Sequence, residues 1–104
     1  MNILEMKPGF VYVVKRPGCK PSPAVLLDTH DKLCYVVPFS VDNYTSTGVK
    51  VRNHALTGDT VVESYAQPTR IMYTHIQNVD KCIGSVEPQD LINIKEQLGN
   101  ILAF

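Results

Sequence analysis

The chain has 104 residues, 44% of them hydrophobic and 19% charged, with ten Lys and Arg against ten Asp and Glu. That length fits one domain, residues 1–104, and the composition is ordinary for a soluble globular fold. A formal net charge of zero excludes a global basic field, so any contact with nucleic acid has to come from a local cluster of cations.

The N-terminus, MNILEMKPGF, carries no signal-type apolar core, and no run approaches the roughly 20 apolar residues of a membrane span. A cytoplasmic protein without membrane contact is expected. Three cysteines, Cys19, Cys34 and Cys82, lack framework spacing and fit a reducing compartment, with Cys34 as a small core residue. Nothing in the Cys and His pattern has the spacing of a metal site, so neither metal nor other cofactor is expected.

In chain order, Lys7-Pro8-Gly9 is a turn leading into Phe10–Val14, a β-branched and aromatic strand. Lys15 to Ser22 (KRPGCKPS) packs two prolines, a glycine and three cations into eight residues and reads as a basic hairpin loop. Two apolar runs follow, Pro23–Leu27 and Leu33–Val37, parted by Asp28–Lys32. They are too short for helices and apolar at nearly every position, which predicts a central hairpin covered on both faces. Pro38 is expected to end the second strand, because it has no N–H for the ladder. Ser40 then stands at a strand end, where a side chain is displayed on a rigid support.

Val41 to Gly48 is polar and reads as a loop. Val49–Val51 is a short half-exposed strand with Lys50 facing away from its valines. Arg52 to Asp59 reads as a turn region, Thr60–Tyr65 as a strand ending near Gln67-Pro68, and Thr69–Thr74 as another strand. Val79–Ile83 fits either a helical turn or a strand. Pro88 suits a first helical position, and Leu91, Ile94, Leu98 and Ile101 or Leu102 recur at steps of three and four, marking the apolar face of one amphipathic helix. The whole predicts an α+β domain: a small, strongly bent antiparallel sheet of about five strands with a C-terminal helix lying on it.

The order of these signals resembles the MazF/PemK/Kid family of endoribonuclease toxins. PGFVYVV (Pro8–Val14) is similar to that family's opening strand, PSPAVLL (Pro21–Leu27) to its Arg-Pro-x-Leu-Val-Leu, and YVVPFS (Tyr35–Ser40) to its Val-x-Pro-Ile/Val-Thr-Ser. TGDTVVESYAQPTRI (Thr57–Ile71) and CIGSVEPQDL (Cys82–Leu91) resemble the family's Gly-Leu-x-x-x-Ser-Val-Val-x-x-Asp-Gln-x-Arg-Thr-Ile and Lys-Ile-Gly-x-Leu-x-Pro-Glu-Asp-Leu. The resemblance implies an SH3-like barrel with a C-terminal helix, a homodimer, an antitoxin partner, and metal-free cleavage of single-stranded RNA. The catalytic serine or threonine falls on Ser40. The catalytic arginine falls on Ser22, the acid of the Asp-Gln pair on Ala66 or Tyr65, and the following arginine is displaced by one place to Arg70.

Metal-free RNA cleavage needs a base for the 2′-OH, an acid for the leaving oxygen and a cation for the phosphorane. Candidate catalytic residues are Ser40, Arg70, Arg16 and His75, with His30 a further proton carrier. Candidate RNA contacts are Lys15, Lys20, Ser22 and Tyr65, the last as a stacking platform. Each also has a plainer reading: a solvated loop for KRPGCK, a turn cap for Ser40, a surface ion pair for Arg70, sheet packing for Tyr65, and a structural role for His75. His54 reads as an exposed turn residue. A binding protein of the same fold, such as a CcdB-like inhibitor of DNA gyrase, is the competing function. The absence of tryptophan, which CcdB-like proteins place near their C-terminus, weakens the gyrase version. A host-inhibitory protein of phage or mobile-element origin is a third reading.

Overall fold

The computed structural model describes residues 5–40, 48–55 and 61–102, without the side chains of 61, 62 and 102. The expected loop after Ser40, and the segment between Ala55 and Val61, lie outside the described residues. The described residues hold seven strands: β1 (Phe10–Val14), β2 (Ser22–His30), β3 (Leu33–Ser40), β4 (Val49–Ala55), β5 (Val61–Ala66), β6 (Met72–His75) and β7 (Val79–Val86), followed by helix α1 (Pro88–Leu102). They form one sheet in the order β2-β1-β7-β4-β5-β3-β6, and β2 also pairs with β3. That extra pairing bends the sheet into a ring of six strands, with β6 outside it on the edge of β3. Every pairing is antiparallel.

The hairpin β2–β3 is the centre expected from its apolar runs. Ala24, Val25, Leu26 and Leu27 are buried in succession, as are Val36, Val37 and Pro38, so both faces are covered. Alternation sends these residues into two cores. Tyr12, Val14, Ala24, Leu26, Cys34, Val36 and Val79 share one with Met6. Val11, Val25, Leu27, Val37, Val51, Ala66 and Val86 share the other with Ile94 of α1. The stripe read from the sequence does face the sheet: Ile94 is fully buried, and Leu91 and Leu98 pack beside it.

The expected boundaries need four corrections. The turn of the hairpin is tighter than Asp28–Lys32, since β2 runs on to His30 through an irregularity between Leu26 and Asp28. Asp31 then takes a left-handed φ of 55°. Pro38 does not end β3. Its carbonyl accepts from the Gln67 N–H at 2.9 Å, and a strand residue points its N–H and C=O to the same edge. On that edge β6 reaches only to Val36 and β5 begins only at Phe39, so the missing donor falls in a gap between partners. Arg52–Ala55 is strand rather than turn, because β5 on one side and β7 on the other pair with it. Arg70 belongs to a short 3-10 turn, Pro68–Arg70, not to the strand that follows it. The open choice at Val79 is decided for strand.

Burial pushes the Cys34 thiol above its ordinary range, and raises the Tyr12 hydroxyl as well, although there a hydrogen bond from the Lys7 N–H works in the opposite direction. A raised acid holds its proton longer in the folded state than in the unfolded one. Its contribution is therefore complete below the unfolded value and is lost as pH rises from there through the higher folded one. Stability is expected to fall from about pH 8.5 upward, the range of an unfolded thiol. Cys34→Ala should flatten that decline in urea titrations run across pH 7–10, at the expense of a smaller core.

Candidate functional site

The basic loop between β1 and β2 is built by its own turn chemistry. Cys19 N–H donates to the Arg16 carbonyl at 3.1 Å, Pro17 supplies the fixed φ, and Gly18 takes the positive φ of 74° that a type II turn requires. Arg16 is half-buried, and Lys20 is exposed. Lys15 turns toward β7: its backbone N–H donates to the Asn78 carbonyl at 2.8 Å, and its ammonium lies 4.0 Å from Asp80. The loop delivers the chain to Ser22, opposite Val14.

Ladder register places the next residues. Ala24 faces Pro38 across β2 and β3, the last pair of that ladder; Ser22 and Ser40 each lie two residues beyond it, on the same face as that pair. Ser40 faces Tyr65 of β5, and Tyr65 faces Lys50 of β4. Paired residues in an antiparallel ladder share a face. Ser22, Ser40, Tyr65 and Lys50 thus form one row across four strands, on the face opposite the α1-side core. Ala66 points the other way, into that core, and is completely buried. Of the two positions onto which the family's acid falls, Tyr65 is the one in the row.

The other candidates lie outside it. Arg70 is exposed and leaves from the turn fixed to Pro38 through Gln67, at the edge of β3 and against α1. His75 faces Leu33 at the opposite end of β3 from Ser40, roughly 23 Å away at about 3.3 Å per residue. Its Nδ1 accepts from the Gln77 N–H at 3.1 Å, so the ring caps the turn Ile76–Asn78. The ladder therefore separates His75 from Ser40. His30 is exposed at the end of β2, 3.6 Å from Asp31, also far from the row.

Sequence reading missed two features. Lys50 lies on the exposed face of its strand, as the alternation of Val49–Val51 predicts, but its position beside Tyr65 depends on long-range pairing that no local pattern encodes. His54 lies on β4 rather than in a turn, with Nε2 3.1 Å from Glu87 Oε1. Arg52 Nη1 approaches the same oxygen at 3.8 Å, and the Arg52 N–H donates to Asp90 at 2.8 Å. This cluster ties β4 to the start of α1. Among the described residues, no group of three His, Cys, Asp or Glu side chains could hold a metal ion, and no helix is long and apolar enough to cross a membrane.

No protein-family model and no curated protein matches the chain. Solved structures do. The Mycobacterium tuberculosis toxin MazF-mt6 is similar over 88% of this chain and 93% of its own, with a TM-score of 0.69 and 16% identity. A mycobacterial endoribonuclease in complex with its cognate antitoxin is similar over 95% and 96%, with a TM-score of 0.75 and 18% identity. MazE–MazF from Deinococcus radiodurans is similar over 95% and 96%, with a TM-score of 0.76 and 13% identity.

The fold is MazF-like.

The likeness spans 88–95% of this chain and 93–96% of the three others. At this level of identity the likeness is one of backbone, and side chains have to be argued from this chain alone.

Proposed function

We propose that the chain is the toxin of a toxin–antitoxin pair and cleaves single-stranded RNA without a metal. The observation that carries this reading is the row Ser22–Ser40–Tyr65, whose members share one face, with Ser22 at the end of the loop that carries Arg16 and Lys20. Names of structural neighbours support the same class: one is an endoribonuclease bound to its antitoxin, another a MazE–MazF complex.

In the proposed reaction, the 2′-oxygen of a bound nucleotide forms a bond to its own 3′-phosphorus as the bond from phosphorus to the next 5′-oxygen breaks. One proton leaves O2′ for solvent and one from solvent reaches O5′, leaving a 2′,3′-cyclic phosphate and a 5′-hydroxyl. The protein's share is placement and charge: the Ser40 hydroxyl donates to a phosphoryl oxygen, loop cations meet the backbone, and Tyr65 offers a face to a base. Arg70 supplies a further cation from the edge of β3. The protein acts in the cytoplasm as a homodimer of single-domain chains held in check by an antitoxin.

Purified protein in excess EDTA is expected to cut a single-stranded RNA while sparing the same sequence in a duplex. Sedimentation should show a species heavier than the 11.6 kDa chain. Intact RNA after long incubation with folded dimer would overturn the nuclease reading. Serine at position 22, in place of the family's arginine, favours the second reading in that event: a non-catalytic inhibitor of a host protein.

A further inference from the structure

Serine at position 22 leaves the row without a cation on its β2 side, while β4 brings one from the other side. We propose that Lys50 is the phosphate-binding cation of this site, gripping the phosphodiester at Ser40 from across Tyr65. The inference rests on the RNA-cleaving reading and specifies how that site holds its substrate.

Three features single out Lys50. Register comes first: Lys50 faces Tyr65, and Tyr65 faces Ser40, so one strand separates the lysine from the serine on a shared face. Neighbouring strands lie about 4.8 Å apart, and the flexible four-carbon stem of lysine can cross an intervening strand of that width. Accessibility is next. The Lys50 ammonium sits 3.4 Å from Glu63 Oε2, with the two side chains 58% and 61% exposed. So exposed a pair is held weakly and is screened by salt, which lets a phosphate displace the carboxylate. Last, the other basic groups on this face of β4 stand farther from Ser40: Arg52 pairs with Glu63 and His54 with Val61, two and four residues along β5 from Tyr65. Arg52 and His54 both converge on Glu87 at the start of α1.

Glu63 then has a defined part. It lies on the same face of β5 as Tyr65, one alternation away and opposite Arg52. Before RNA arrives it holds the ammonium on this face. When a phosphodiester enters, Glu63 repels it and competes for the lysine, so removing the carboxylate should tighten binding through Lys50.

The test is binding of a fluorescent single-stranded oligoribonucleotide with 2′-O-methyl sugars, which cannot be cut, followed by anisotropy over a salt series. Lys50→Gln is expected to weaken binding about five- to tenfold at low salt and to reduce the slope of log K against log salt by about 0.7, the value for one lost phosphate contact on a single strand. Glu63→Gln should tighten binding, and most of that gain should vanish in the double variant. Lys81→Gln, an exposed lysine on β7, should leave affinity and slope near wild type. Equal unfolding midpoints would establish that the variants are folded. If wild-type protein binds and Lys50→Gln binds equally well with the same slope, the inference falls and the RNA-cleaving reading stands. If wild-type protein binds no RNA at any salt concentration, both fall.

Discussion

Gly84→Ala is expected to destabilise the protein by about 2–3 kcal/mol, the upper part of the range for overpacking. A methyl group built on Gly84 would lie 2.5 Å from the His54 carbonyl oxygen and 2.7 Å from Asn53 Oδ1. Asn53 can rotate away, but the His54 carbonyl belongs to the backbone of β4. Relief therefore requires β4 and β7 to part along the pairs Asn53–Val86, His54–Ser85 and Ala55–Gly84. The same movement would pull His54 from Glu87 and loosen the start of α1, whose Asp90 and Leu91 N–H groups both donate to the Glu87 carbonyl. Urea denaturation checks this: the midpoint should fall with little change in slope. Gly99→Ala is the control, since nothing lies within 4 Å of its added methyl and the residue is exposed in the last turns of α1. It should gain up to about 1 kcal/mol from helix propensity. A loss below about 0.5 kcal/mol for Gly84→Ala would mean that β4 and β7 are not pressed together as described.

What could be read in advance was local. The hairpin β2–β3, the burial of Cys34, the outward turn of Lys50 and the helix from Pro88 all follow from short-range pattern, and each is where that pattern puts it. The strand through Arg52–Ala55 was not legible. RNHA has neither alternation nor β-branching, and it is extended because β5 and β7 each supply partners for it. Pro38 misled for the opposite reason: the local rule is sound, but only the tertiary arrangement reveals that its missing donor meets a gap. The site divides along the same line. Ser40 and Tyr65 could be named from the motif order, yet their direct pairing and the arrival of Lys50 are facts of ladder register. His75, a candidate by residue type alone, is removed from the group by the length of β3.

On the nuclease reading, Ser40→Ala carries the largest effect on activity: a loss of about 10²–10³ in cleavage rate, or roughly 2.7–4 kcal/mol of transition-state stabilisation. Ser40 pairs directly with Tyr65 on β5, and Ser22 lies on the same face of β2, each serine two residues beyond the last β2–β3 pair, Ala24–Pro38. It is half-buried at the end of a strand whose preceding residues are locked in two cores, so its position is fixed before substrate arrives. A preorganised hydroxyl that donates to phosphoryl oxygens gains strength as negative charge builds on them, and the methyl of alanine offers no substitute. Ser40→Thr keeps the donor and suits a strand, so most activity should survive it. The comparison separates chemistry from folding: both variants should unfold close to wild type, while single-turnover cleavage falls only for alanine. Arg16→Ala and Lys20→Ala, which remove loop cations without touching the row, should mainly weaken RNA binding and its salt dependence. Equal cleavage by wild type and Ser40→Ala would remove the hydroxyl from the reaction and shift the chemistry to the cations around it.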